Sequence, residues 1–268
     1  MHHIWYLFAL DAFHDSRNAS SIQNLTRRRL TLTNAATAAL LLAVARKPGL
    51  QGRWGHVVDS LEAIIPIYET GSSRIAFFSD ARMRRDVVAF AVRGPGFVMD
   101  LGSGPGTLAR VVSRAGATPV LVDASRKMLA NARSDFCVQA VFEALPFREG
   151  AFNSAVAGFS IRDSRDLVAA MAEVRRAMAE GGRFAFCDLG KPDSFVKGVA
   201  LGAYVRVGIP LIGAITGGIV GVKFSSLYET YLLTLKNGDL ASLLRQYFSL
   251  VDLQARQLGG SIEVYCTA

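Results

Sequence analysis

The stretch Phe97-Val98-Met99-Asp100-Leu101-Gly102-Ser103-Gly104-Pro105-Gly106-Thr107, FVMDLGSGPGT, runs an apolar segment into three alternating glycines. Such a segment reads as a buried strand, and the glycines let the following backbone turn tightly and approach a ligand closely. Two ligand classes are excluded by what comes next. A P-loop needs Lys-Ser/Thr after its last glycine to meet phosphates and magnesium, whereas Thr107-Leu108 stand here and the nearest basic residue beyond is Arg110. A dinucleotide fingerprint, G-x-G-x-x-G, needs its third glycine where this chain, counted from Gly102, has Thr107.

What remains is D-x-G-x-G-x-G with Asp100 on the strand end. It suits a ligand without a pyrophosphate that brings positive charge near an acid. S-adenosylmethionine fits: a nucleoside with a cationic sulfonium and an amino-acid tail. Asp100 would help hold the ammonium end, directly or through water. Asp123 lies 19 residues beyond Gly104 and ends a second apolar run, so it suits the ribose hydroxyls. The plainer role for both acids is to cap strand-to-helix turns. The candidate cofactor-binding residues are Asp100, Gly102, Ser103, Gly104, Gly106, Asp123, Ala124, Met128, Phe142 and Phe159.

Outward from the loop, strand and helix alternate. PVLVD (119–123), FCVQAVF (136–142), SAVAGF (154–159) and RFAFCDL (183–189) read as strands, and RKMLANAR (126–133) as a helix. Between Asp166 and Ala179 the residues Leu167, Met171, Val174 and Met178 form the stripe of an amphipathic helix, which Gly181-Gly182 would stop. FSLVDLQA (248–255) and SIEVYCT (261–267), around Gly259-Gly260, read as a closing hairpin. Upstream, VVDSLEAIIPIYE (57–69) and RIAFFSDARMRRDVVAFAV (74–92) read as helices joined by a turn at Gly71-Ser72-Ser73. The expected fold is α/β, a Rossmann-like seven-stranded, mostly parallel sheet with helices on both faces and an antiparallel C-terminal edge strand.

Residues 1–56 stand apart as an N-terminal extension, and 57–268 form the domain. Arg27-Arg28-Arg29 precede an uncharged run from Leu30 to Ala45, which is short for a membrane span and too deep in the chain for a signal peptide. The chain carries 30 basic against 22 acidic residues, net +8, and 51% hydrophobic residues. A basic, apolar protein suits an anionic membrane surface. No run interleaves aromatics with Lys/Arg as a nucleic-acid stacking platform would. Cys137, Cys187 and Cys266 match no zinc spacing, and His2, His3, His14 and His56 all precede the glycine loop, so no metal site is expected. The expected compartment is cytoplasmic, at the inner face of the membrane.

Several blocks together resemble the ubiquinone/menaquinone biosynthesis C-methyltransferases, a class I methyltransferase family, over about residues 58–268. ALPFREGAFNSAVAGFSIRD (144–163) resembles the family's A-L-P-F…F-D…F-G-[LI]-R-N block, and DLGKP (188–192) its E-F-S-K-P. IPIYETGSSRIAFFSDARMRR (65–85) resembles A-P-x-Y-D…N…S-F-G…R-x-W-R-R, and LGGSIEVY (258–265) the closing L-T-G-G strand. The resemblance implies methyl transfer from S-adenosylmethionine to a ring carbon of a polyprenyl quinol such as a demethylmenaquinol. By similarity, Tyr68, Arg162 and Asp163 are the catalytic candidates, orienting the quinol hydroxyls and a water that relays a proton. Arg stays protonated, so Arg162 would stabilise the quinolate rather than act as base.

The chain also departs from the family pattern. Asp163 replaces the usual Asn, Val141 the acid or amide near the adenine, Ser72 an Asn, Met83 a Trp, and Asn153 an acid. The Phe142 backbone N–H and stacking by Met128 or Phe142 would then read the adenine. These changes keep the cofactor class but leave room for another lipid or small-molecule acceptor, and a non-catalytic binding protein is the more distant rival. In the family an insertion before the last strands covers the active site. Here, at about 193–240, it holds the uncharged VGIPLIGAITGGIVGV (207–222), flanked by Lys191, Lys197, Arg206 and Lys223. An apolar helical lid suits a prenyl tail and a membrane surface. Homo-oligomerisation is left open.

Overall fold

The computed structural model describes residues 54–268. The 1–56 extension, with its basic and apolar run, therefore lies outside the described residues except for Trp54–His56, which open the first helix.

The sheet has seven strands: β1 (Phe97–Leu101), β2 (Thr118–Asp123), β3 (Cys137–Gln139), β4 (Phe152–Gly158), β5 (Met178–Leu189), β6 (Leu250–Arg256) and β7 (Ser261–Thr267). Their order is β3-β2-β1-β4-β5-β7-β6. The first five are mutually parallel, and β7 runs antiparallel to both β5 and β6. The C-terminal strand is thus antiparallel as expected, but it sits one place in from the edge, with β6 outermost.

Central strands of a parallel sheet are covered on both faces and read as unbroken apolar runs. One face buries Met99, Leu101, Val122 and Phe184 under α6 (Leu167–Ala177) and α10 (Asn237–Leu244). The other buries Val98, Val156 and Cys187 under α3 (Asp80–Ala91) and α4 (Thr107–Arg114). Helix α6 starts where Asp166 accepts from the Val168 and Ala169 amides, both at 3.0 Å. Its stripe is buried as expected, yet it ends at Ala177 rather than at the glycines. Met178 already pairs with Phe152 in the sheet, and Gly181-Gly182 lie in a bulge before Arg183 rejoins Ser154. The third strand is shorter than 136–142, because Val141 and Ala144 close a turn instead.

Two further expectations are corrected upstream. The run 57–69 is not one helix: α1 (Trp54–Ala63) gives way at Ile65–Ile67, around Pro66, to α2 (Tyr68–Ile75). Gly71-Ser72-Ser73 is no turn but the middle of α2, where a Cβ on Gly71 would meet the Phe224 ring at 2.5 Å. The chain turns instead at Ala76–Ser79, with Phe77 and Phe78 both at positive φ.

Between β5 and β6 lie α7 (Phe195–Ala203), a π turn over Tyr204–Gly208, α8 (Ile209–Gly221), α9 (Ser226–Leu233) and α10. By length and composition the helical run Phe195–Leu233 could cross a membrane, but it folds back on itself at Gly217 and Gly218. Val205, Ile209, Phe224 and Tyr231 pack this hairpin onto Ile64, so it roofs the carboxyl ends of the strands.

Candidate active site

The glycine loop follows from β1. Its strand pairs Leu101 with Val122, and the Gly102 and Ser103 amides both reach back to the Val122 carbonyl, at 2.8 and 3.1 Å. Gly102 has φ +61°, and a Cβ there would collide with Ser160 and the Phe142 ring, so only glycine fits. Gly106, at φ +80°, is the left-handed residue that starts α4. The loop borders a cavity whose walls include Gly102, Gly104, Asp123, Ala124, Met128, Phe142 and Phe159 from the candidate set, together with Tyr68 and Asp163. Three candidates do not reach these walls. Gly106 faces Ala132 on the far side of the loop. Ser103 and Asp100 are buried beneath it.

The charges fit a cationic nucleoside ligand. Asp100 is fully buried, and among the described residues no well-aligned hydrogen bond reaches either carboxylate oxygen, though the Ala109 amide lies close enough to lower its pKa. Burial pushes its pKa up to about 7, with the positive Arg84 opposing the rise and Asp123 adding to it. A buried acid offset by Arg84 and the Ala109 amide, beside a glycine cradle, favours further positive charge near it. Asp123 is already used by the loop, since one oxygen accepts from the Gly104 amide and the other from the Ser125 amide, each at 2.8 Å. Its capping role is therefore real. A carboxylate has about four acceptor sites, so two hydroxyls of a ribose still have acceptors there. Burial raises the Asp123 pKa, against the two amides that hold it down.

Other wall residues were missed in the sequence. Trp54, Val57, Val58 and Leu61 bring α1 over the cavity. The Trp54 indole donates to the Asp163 carbonyl at 3.3 Å, and the Arg165 guanidinium stacks on its ring. Ser125, which caps α5 (Arg126–Asn131), donates its hydroxyl to Glu62 of α1. The apolar spacing of α1 announces a buried face but not what that face covers. Ala140 and Val141 stand beside Phe142, an apolar wall where the family has an acid or amide.

A second, larger cavity of ≈ 250 Å³, against ≈ 90 Å³ for the first, adjoins it through shared walls at Leu61, Tyr68 and Phe159. Ile64, Leu189, Leu201, Tyr204, Ile209 and Phe224 give it an apolar lining, and Arg162 is the charged group in its interior. Arg162 is buried, donating from Nη1 to Asp188 Oδ1 at 2.5 Å and to the Phe159 carbonyl at 2.6 Å. Asp163 Oδ2 lies 3.6 Å from its Nη2. Burial alone would ease a proton off this guanidinium, but Asp163 and Asp188 outweigh it, so the net shift is upward and the charge is fixed. The structure thus brings Tyr68, Arg162 and Asp163 to one junction, Asp163 on the side of the first cavity and Arg162 on that of the second.

Residues 99–186 match the family model described as a methyltransferase domain. The chain is 30% identical over 169 residues to the demethylmenaquinone methyltransferase of Thermus thermophilus, covering 59% of this chain and 77% of that one. It is 32% identical over 166 residues to the ubiquinone/menaquinone biosynthesis C-methyltransferase UbiE of Desulfotalea psychrophila, covering 59% and 68%. In fold it is similar to a SAM-dependent methyltransferase of Thermotoga maritima, described as a possible histamine N-methyltransferase, with a TM-score of 0.57 at 17% identity over 78% of this chain and 98% of that one. Glycine cradle, buried acid and sequence agree, and the chain belongs to the ubiquinone/menaquinone biosynthesis C-methyltransferases, a family of class I enzymes that use S-adenosylmethionine.

Proposed function

We propose that this methyltransferase methylates a ring carbon of a polyprenyl quinol, demethylmenaquinol-like in class, at the cytoplasmic face of a membrane. The observation that carries the reading is the pairing of cavities: one on the glycine loop, bordered by Asp123 and Asp163 within a largely apolar wall, and a larger apolar one beyond it, meeting at Leu61, Tyr68 and Phe159. A flat ring with an attached hydrocarbon tail fills a site of that kind. The names of the relatives support the same acceptor class.

Asp100, Gly102, Ser103, Gly104, Gly106, Asp123, Ala124, Met128, Phe142 and Phe159 would hold the cofactor, Asp100, Ser103 and Gly106 from behind the cavity wall. When bound, the cofactor supplies an electrophilic methyl group on its sulfonium. Tyr68, Arg162 and Asp163 act on the acceptor. Arg162, fixed by Asp188, stabilises the negative charge that grows on the quinol oxygen, which makes the adjacent ring carbon nucleophilic. A water between the quinol hydroxyl and Asp163 would pass the hydroxyl proton to the Asp163 carboxylate, which releases it to solvent, and the proton on the methylated ring carbon would then move to the carbonyl oxygen and restore the aromatic quinol. Tyr68, half-buried at the junction, packs against the ring and sets its distance from the cofactor cavity.

The test is an incubation of purified protein with labelled cofactor and a demethylated polyprenyl quinol, followed by lipid extraction. Label in the methylated quinone is expected. Label confined to water-soluble acceptors supplied in the same mixture would overturn the acceptor class.

A further inference from the structure

The roof of the second cavity has two apolar faces, and among the described residues only one is covered. Val205 and Ile209 point into the molecule and are fully buried. On the opposite side Val196, Val199, Ala203, Val207, Leu211 and Ile215 recur every three or four residues through α7, the π turn and α8, and all are exposed. At the hairpin tip Ile219 is 90% exposed. A helix apolar all round belongs inside a protein or against lipid, and this one has solvent-facing aliphatic side chains along its length.

The surroundings identify what it meets. From Phe195 to Tyr228 there is no Asp or Glu, while Lys197, Arg206 and Lys223 are all exposed. The uncovered face continues to the mouth of the second cavity. There Phe77 and Leu258 are 60% and 75% exposed and also line the cavity. They stand on two loops with positive φ at Phe77, Phe78, Gln257 and Leu258. Gln257 ties these loops together by donating to the Ala76 carbonyl and the Ser79 hydroxyl. Aliphatic groups flanked by cations, continuous with the entrance of an apolar cavity, are the chemistry of an interfacial helix on an anionic bilayer.

We infer that the outer face of α7 and α8 docks on an anionic lipid surface, with Phe77, Phe78 and Leu258 placed at the level of the acyl chains so that the second cavity opens into the membrane. The cavity's use as the point of acceptor entry rests on the proposed acceptor. The docking does not.

The experiment uses the full chain and unilamellar vesicles without quinol, either phosphatidylcholine alone or phosphatidylcholine with one third phosphatidylglycerol, read by co-flotation. Partitioning on the anionic vesicles is expected to exceed that on neutral ones at least tenfold and to fall with added salt. Leu211→Glu/Ile215→Glu alters two exposed positions outside both cavities. It should keep cofactor affinity and melting temperature while losing vesicle binding at least tenfold. Arg206→Glu/Lys223→Glu should remove the preference for anionic lipid. Unchanged vesicle binding in Leu211→Glu/Ile215→Glu overturns the inference. So does a lipid-free dimer of the wild-type chain that the same substitutions split, since the face would then join two copies. If vesicles bind as stated but no quinol is methylated, the docking stands and the acceptor fails. Methylation of micellar quinol without vesicle binding defeats the docking alone.

Discussion

At the scale of single residues, the candidate site holds two buried ionisable groups with opposite circumstances. Asp100 is held near a pKa of about 7 by burial, against the opposing pull of Arg84 and the Ala109 amide, whereas Arg162 is locked between Asp188 and Asp163. A cationic ligand above Asp100 favours its ionised form, so below about pH 7 binding requires release of a proton that the free protein holds. Cofactor affinity should therefore be flat above pH 7 and fall by up to tenfold per unit below it. Asp100→Asn should weaken binding at pH 8 and flatten the dependence, as read by calorimetric titration. Equal slopes in wild type and variant would refute this role. Arg162 calls for a different substitution. Truncation to Ala strands Asp188 as an uncompensated buried charge and should cost about 3–5 kcal/mol of stability, which confounds any loss of turnover. Arg162→Lys keeps the charge but not the forked geometry. It is expected to fold, to bind cofactor within twofold of wild type and to lose at least tenfold in kcat. Unchanged kcat would remove Arg162 from the chemistry.

At the scale of elements, the hairpin roof depends on close contact between glycines. A Cβ on Gly213 would collide with the Gly221 carbonyl, and one on Gly221 with the Gly213 carbonyl. Gly221→Ala should splay the α8 hairpin, raise KM for the lipid acceptor several-fold and leave cofactor affinity unchanged. A KM equal to wild type would show that the roof does not shape the acceptor cavity. The elements also show what the sequence could and could not disclose. The strands of the sheet and the glycine loop were legible, because apolar runs ending in turn residues follow from backbone geometry close by in sequence. The helix breaks were not. Gly71 looks like a turn residue until Phe224, far along the chain, is seen packed on it. Phe77 and Phe78 look helical, yet they hold the positive φ of the real turn. Gly181-Gly182 read as a helix stop, but Met178 had already left the helix to pair with Phe152. In each instance a distant contact decided between two local readings. The same holds for the site. Asp123 and the loop were visible in spacing, whereas the cover of Trp54 and α1 exists only once the chain is folded.

At the scale of the whole molecule, two cavities lie side by side. The smaller borders the glycine loop and carries Asp123 and Asp163 in its wall, and the larger, apolar one extends beneath a roof whose outer side is also apolar. Asp163, present where the family has Asn, sits where the two meet and adds a group that can hold a proton. Asp163→Asn is accordingly expected to retain cofactor binding and to lower kcat at least tenfold, and an unchanged kcat would deny it the proton. The central claim, carbon methylation of a lipid quinol, is tested most directly by mass spectrometry of the lipid product formed with a trideuteromethyl cofactor. The account predicts the trideuteromethyl group on a ring carbon of the quinone, retained after cleavage of aryl ethers. Label lost on ether cleavage, or absent from the lipid fraction, would contradict it.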